Sequence, residues 1–350
     1  MTHFLTRPLI PAYENKNGCG EEMTTPGMSR RSALTMLLAA GATPAFVEES
    51  LAEDYPSRPV TILTPYAAGS ATDTAARLIG KYLQDALKQP FIIENREGAI
   101  GMIAAEAAAR ATPDGYTLLL TSNSTHSAAP GLFKKVPYDP IKDFTPIARI
   151  GSFPSFIAVT NELPVKSMQE LVAYAKANPG KINASYGNST GRITTEIFKR
   201  RLNLDITPVA YRSNPAAVTD LMAGHVQMGV PDFSTGLPLL KAEKIRPLAV
   251  LTKERDQTLP DLPTLDETVM PGYDLLAWTG MFGPAGLPQS IVETLAKPME
   301  AALSKPDVRD RFRDSGVEIS WIGPAGFPDY VKTELVKWTT LIKAAGIEPE

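Results

Sequence analysis

The sequence predicts an α/β protein built on parallel sheets, and three observations lead there. A short strand, then a loop of Ser, Thr, Gly and Asn that usually opens a helix, recurs four times along the chain. A length of 350 residues with 43% apolar content is enough to bury two cores. Thirty-one prolines beside abundant alanine suit a loop-punctuated α/β chain rather than a β-sandwich.

The first unit opens with the apolar run Val60-Thr61-Ile62-Leu63-Thr64, a short buried strand. Pro65-Tyr66-Ala67-Ala68-Gly69-Ser70-Ala71-Thr72 follows as a loop of turn and capping residues. Residues 73–87 then place Ala75, Leu78, Ile79, Tyr82, Leu83 and Ala86 on one helical face. Residues 117–121 form a second strand, followed by the hydroxyl-rich Ser122-Asn123-Ser124-Thr125-His126. Residues 181–186 lead through Gly187-Asn188-Ser189-Thr190-Gly191 into a helix near 193–202. Residues 206–211 run into Arg212-Ser213-Asn214-Pro215, with Asn214 placed as N-cap and Pro215 in the first turn.

In parallel sheets, ligands sit beyond the carboxyl ends of the strands, where these loops lie. A helix N-terminus offers unpaired N–H donors and partial positive charge, which suits a carboxylate. Each helix end contributes ~0.3–1 kcal/mol, and each hydrogen bond to a charged group about 1.5–3 kcal/mol. Two or three such loops converging on one anion reach roughly micromolar binding without lysine or arginine. Any one of these loops by itself reads as ordinary helix capping; the repetition of one chemistry points to a shared site.

Charge and cysteine usage narrow the class. A net charge of −3 with 21% charged residues gives no broad cationic face, so no nucleic-acid partner is expected. Arg30 and Arg31 precede the small-apolar stretch at 33–42, which is too short to span a bilayer and fits a signal segment. Ser50-Leu51-Ala52 supplies small residues at −3 and −1, which places cleavage after Ala52 and export to the periplasm. Ser29-Arg30-Arg31-Ser32-Ala33-Leu34 resembles a twin-arginine motif, with Ala33 where an aromatic is usual. Residues 1–27 form an unusually long leader, or Met23 or Met28 is the initiator. Cys19, the only cysteine, precedes the cut, which removes disulfides, thiolate metal sites and a cysteine nucleophile from consideration. His126 and His225 are the only histidines beyond the leader, and no H-x-x-x-H spacing occurs. No metal and no cofactor are expected. No second apolar segment approaches spanning length, so a soluble mature chain is expected.

The chain resembles the solute-binding proteins of tripartite tricarboxylate transporters, the Bordetella-uptake type of periplasmic receptor. The resemblance is carried by Tyr55-Pro56-Ser57-Arg58-Pro59-Val60, Pro65-Tyr66-Ala67-Ala68-Gly69 with Asp73 and Ala76-Arg77, and Ile93-Glu94-Asn95-Arg96-Glu97-Gly98-Ala99. It continues through Thr112-Pro113-Asp114-Gly115-Tyr116, Tyr138-Asp139-Pro140, Leu259-Pro260-Asp261-Leu262-Pro263, Trp278-Thr279-Gly280 and Pro284-Ala285-Gly286. It implies a two-lobed type II (Venus flytrap) architecture with a central cleft that closes over a small organic carboxylate. It also implies delivery to the membrane permease subunits of the transporter. The expected lobes are 53–151 with 274–350, including the final helical region, and 152–273. A monomer is the expected state, since both lobes must be presented to the permease.

Carried over residue by residue, the resemblance nominates Tyr66, Ala67, Gly69, Ser70, Ala71 and Thr72 on one side of the ligand. It nominates Ser189, Thr190 and Gly191 on the other. The hydroxyl-rich second loop adds Ser122, Asn123, Thr125 and His126, and Tyr211 completes the set. Asp73 is expected to fix the first loop and not to touch an anion. Arg192 stands near the place of the family's histidine and could pair with a second carboxylate, or lie solvated on the first turn. Asp232 lies near an acidic position that meets a ligand amine in relatives.

Two other readings use the same residues. Gly187-Asn188-Ser189-Thr190-Gly191 fits G-x-S-x-G between strand and helix, which would make Ser189 a hydrolase nucleophile. That reading needs a downstream histidine and acid on separate late loops; the sequence offers only His225, five residues after Asp220. A ligand-binding component of an extracytoplasmic sensing system would look the same in sequence.

Overall fold

The computed structural model describes residues 55–350. The twin-arginine string, Cys19 and the expected cleavage site after Ala52 lie outside the described residues. The chain opens with β1 (Val60–Thr64), α1 (Ala71–Leu87), β2 (Phe91–Asn95), α2 (Met102–Ala109) and β3 (Thr117–Ser122). A π-type turn over Ser124–Ala128 leads to α3 (Ala129–Leu132) and the long β4 (Phe144–Phe153). Then come β5 (Phe156–Thr160), α4 (Met168–Ala177), β6 (Ile182–Tyr186), α5 (Ser189–Arg201) and β7 (Ile206–Ala210). They are followed by α6 (Asn214–Met222), β8 (Met228–Gly229), α7 (Phe233–Lys241), β9 (Ile245–Val250) and α8 (Leu265–Thr268). The chain ends with β10 (Ala277–Pro284), α9 (Gln289–Leu303), α10 (Pro306–Asp314), β11 (Glu318–Ile322) and α11 (Phe327–Ala344). No helix among the described residues is long and apolar enough to cross a membrane.

The strands divide into two sheets, ordered β11-β4-β10-β3-β1-β2 and β7-β6-β8-β5-β9. Both are mixed rather than wholly parallel. β1 runs parallel to β2 and β3, and β6 to β7 and β8, where helices carry the chain back. β10 runs against β3 and β4, because it re-enters the first sheet from the second and not through a local helix. β5 likewise runs against β8 and β9.

Side-chain alternation gives each sheet two buried faces. In the first, Ile62, Leu118 and Leu120 join Ile79 and Leu83 of α1, whereas Leu63 and Leu119 face Trp278, Phe282 and Phe327. In α1 the fully buried Ala75, Ile79 and Leu83 recur every fourth residue, as the periodicity predicted. In the second, Ile182 and Ala184 pack with Ile193 and Phe198 of α5, and Phe156 and Ala158 pack with Phe233 and Leu237 of α7.

The chain crosses between sheets after Phe153 and again between Val250 and Ala277. The last helix is shared: Phe327 and Val331 pack with the first sheet, while Trp338 and Ile342 pack with the core of the second. The apolar face of this helix is long enough to reach both cores.

Candidate ligand-binding site

A cavity of about 20 Å³ lies where the carboxyl ends of the two sheets meet. Four helix N-termini converge on it. α1 presents Ser70, Ala71 and Thr72, α5 presents Asn188 and Thr190, α6 presents Asn214, and α7 presents its cap Asp232. No lysine or arginine lines the cavity. Whatever attraction it holds for an anion comes from N–H groups, hydroxyls and helix dipoles.

The first loop is built to hold α1 open-ended. Ser70 is extended, and its hydroxyl accepts from the Asp73 N–H at 3.2 Å. Gly69 adopts φ +80°, where a side chain would be strained. The Asp73 carboxylate accepts from the Gly69 N–H, Arg77 Nε and Asn95 Nδ2, each at 2.9 Å. Burial pushes that carboxyl up, but these donors outweigh it and hold it below its ordinary value. Asp73 is thus the brace of the loop and does not line the cavity. Tyr66 does; burial pushes its hydroxyl up to about 12, against the lowering effect of the neighbouring Ser124 and Ser122 hydroxyls.

The second loop divides at its π-type turn. Ser122, Asn123 and Ser124 face the cavity. Thr125 and His126, nominated from sequence, fold back beneath the sheet. The Thr125 hydroxyl lies 2.7 Å from that of Thr121 and 2.8 Å from His126 Nδ1. The His126 ring stacks on Phe282 with centroids 4.0 Å apart, and burial depresses its pKa to about 3, so the ring is neutral.

On the facing side, α5 starts at Ser189, four residues earlier than the periodicity suggested. Asn188 is extended and accepts from the Gly191 N–H at 2.9 Å. Ser189 sits behind the lining, hydrogen-bonded to Asn123 and Ser124. Arg192 points elsewhere: it pairs with Glu350 at 2.8 Å and lies over the Phe133 ring. Tyr211 is also outside the cavity, donating to Asp220 at 2.6 Å. Ala67, Gly69 and Gly191 shape the backbone of the two loops without lining the space.

Asn214 is not the cap of α6: Ser213 is extended there, and Asn214 begins the helix. Its Nδ2 instead donates to Asp232 at 2.5 Å, leaving its Oδ1 without a partner. Asp232 caps α7, accepting from the N–H and hydroxyl of Thr235 at 2.9 Å each. Burial pushes the Asp232 carboxyl above its ordinary value despite these donors. Sequence reasoning did not single out Phe153, Ser155 and Ala277 as lining residues. They sit on the crossing segments, and no local motif marks them.

Two α/β lobes meeting over a cleft rimmed by helix N-termini define a two-lobed receptor of the periplasmic-binding type. Residues 75–347 match the family model described as tripartite tricarboxylate transporter family receptor, and the chain belongs to that family. It is 32% identical over 319 residues to the UPF0065 protein in the tcbD-tcbE intergenic region of Pseudomonas sp. strain P51, covering 90% of this chain and 94% of that one. It superimposes on the structure of R. palustris Rpa4515 with adipate at a TM-score of 0.83 and 35% identity, covering 85% of this chain and 100% of that one. A second solved structure, MatC (Rpa3494) from Rhodopseudomonas palustris with bound malate, gives a TM-score of 0.77 and 33% identity over 82% of this chain and 100% of the other.

Proposed function

We propose that this protein captures a small organic carboxylate outside the cytoplasm and passes it to the membrane permease of a tripartite transporter. The observation that carries the reading is the convergence of four helix N-termini on one cavity free of lysine and arginine. Such a seat favours anions through fixed dipoles and N–H donors, with hydroxyls of Ser70, Thr72, Ser122 and Thr190 to orient them. The relatives solved with adipate and malate indicate the ligand class.

The cavity as it stands has room for about one water. A dicarboxylate therefore enters through parted lobes, and closure around it follows from its contacts with both. We place the hinge at the two crossings, after Phe153 and between Val250 and Ala277, with the lobes following the two sheets. The basic, apolar leader and the Ser50-Leu51-Ala52 triplet support export with cleavage near Ala52, and one copy suffices for the cycle.

No reaction is proposed. Ser189 engages Asn123 and Ser124, His126 is stacked on Phe282, and His225 is exposed beside Asp220 at 3.3 Å. Calorimetric titration of the purified protein with adipate, malate and, as a cationic control, putrescine tests the reading. Saturable heats for at least one dicarboxylate and none for putrescine are expected. Binding of the diamine with no response to either acid would overturn it.

A further inference from the structure

Asn214, on the first turn of α6, lines the ligand seat and is buried at 4% exposure. Its backbone is fixed by Gly187, which packs so close that a Cβ there would stand 2.2 Å from the Asn214 nitrogen. Its side chain is fixed by Asp232, the cap of α7. Asp232 takes three donors, the Thr235 N–H, the Thr235 hydroxyl and Asn214 Nδ2, so it serves as an acceptor. The amide must therefore turn its nitrogen to Asp232, and Oδ1 is the polar atom left for the seat. No hydrogen bond from the described residues reaches that oxygen.

Its surroundings have the opposite character. The hydroxyls of Ser70, Thr72, Ser122 and Thr190 and the N–H groups of the helix starts can all donate, which suits ligand carboxylates. Asn214 Oδ1 cannot. A carboxylate oxygen set against it would face acceptor with acceptor, and a methylene would leave it buried and unpaired, which costs binding. A hydroxyl satisfies it and can accept in turn from the neighbouring donors. An ammonium matches it less well, because it brings three N–H groups to one free oxygen.

We propose that Asn214 Oδ1 selects the ligand by a hydroxyl, so that the receptor prefers hydroxy-substituted dicarboxylates to unsubstituted ones of the same length. This rests on the carboxylate reading of the same seat. Asp232 is a positioning residue here, since it decides which end of the amide is left for the ligand.

Succinate, both enantiomers of malate and L-aspartate share one four-carbon diacid skeleton and differ at one carbon, so calorimetric titration with all four isolates the hydroxyl. One malate enantiomer is expected to bind about tenfold or more tighter than succinate and than aspartate. In Asn214→Ala the malate-to-succinate ratio should fall close to one. It should fall likewise in Asp232→Asn, whose new amide can itself donate to Oδ1. Thr72→Ala removes a donor useful to every acid, so it should weaken malate and succinate alike and keep the ratio. The ratio is taken within each preparation, so a partly unfolded variant does not mimic its loss. Equal affinities for succinate and both malates in the parent overturn this proposal and leave the carboxylate reading intact. So does a preference for aspartate, or a ratio that survives in either seat variant. No heat from these acids or from adipate overturns both.

Discussion

The hydroxyls of Ser124 and Ser189 stand 2.9 Å apart, one on the loop after β3 and the other on the first turn of α5. Asn123 Nδ2 reinforces the contact, reaching the Ser189 hydroxyl at 3.1 Å and that of Thr190 at 3.4 Å. The lobes thus hold each other through the same polar loops that frame the ligand seat. Removing one neutral hydrogen bond costs about 0.5–1.5 kcal/mol, or roughly a two- to tenfold shift in an equilibrium. Ser124→Ala is expected to move the unliganded protein toward the open form, seen as a larger radius of gyration in small-angle scattering.

The mouth of α1 should matter more for binding than for folding. Ser70→Ala removes a cap worth about 1 kcal/mol of stability, and Thr72→Ala removes a hydroxyl that lines the cavity. The double variant should melt only a few degrees lower yet bind adipate or malate at least about tenfold more weakly. Circular dichroism melts and calorimetry on the same preparations check both halves.

Asp232 makes stability depend on pH in a defined direction. Its carboxyl is raised by burial, so it favours the folded protein fully below the ordinary aspartate range and loses that contribution as pH rises through its folded value. In Asp232→Asn the Thr235 cap can still be accepted, and the added amide can serve the unpartnered Asn214 Oδ1. The variant should therefore melt higher than the parent at pH 7.5 and gain nothing at pH 4. Melting curves at the two pH values decide it.

Gly316 tests closure sterically. It has φ +75°, and a Cβ there would stand 2.3 Å from the Ser234 nitrogen and 2.6 Å from the Phe233 carbonyl carbon, across the lobe boundary. Gly286 has φ +81° with nothing within 4 Å of its missing Cβ. Gly286→Ala should cost about 1 kcal/mol of stability and leave dicarboxylate affinity unchanged. Gly316→Ala should also weaken affinity by roughly tenfold or more, since the closed form itself is obstructed. Titrations of both variants against the parent separate backbone strain from the clash.

Much of this arrangement was legible because it is local. The strand at 60–64, the periodic face of α1 and the strand–hydroxyl loop–helix theme all follow from neighbouring residues, whereas the role of Asp73 comes with the family resemblance and rests partly on Asn95, 22 positions away. What escaped depends on contacts distant in sequence. The fate of His126 is decided by Phe282, more than 150 positions away, and that of Arg192 by Glu350. The Asn214–Asp232 pair joins two helix starts whose spacing carries no signature, so Asn214 reads as a cap until both are seen together. The mixed strand directions likewise arise from the long return of the chain into β10, which no window of sequence reveals.

The last helix has a mechanical consequence. With Phe327 and Val331 seated in one core and Trp338 and Ile342 in the other, α11 is a rod pinned at both ends. A wide gape would tear apolar side chains out of one pin, whereas a swivel about the rod's own long axis leaves both seated. The lobes are therefore expected to part by twisting along this helix, so that the rim of the cleft travels furthest while the back of the molecule barely moves.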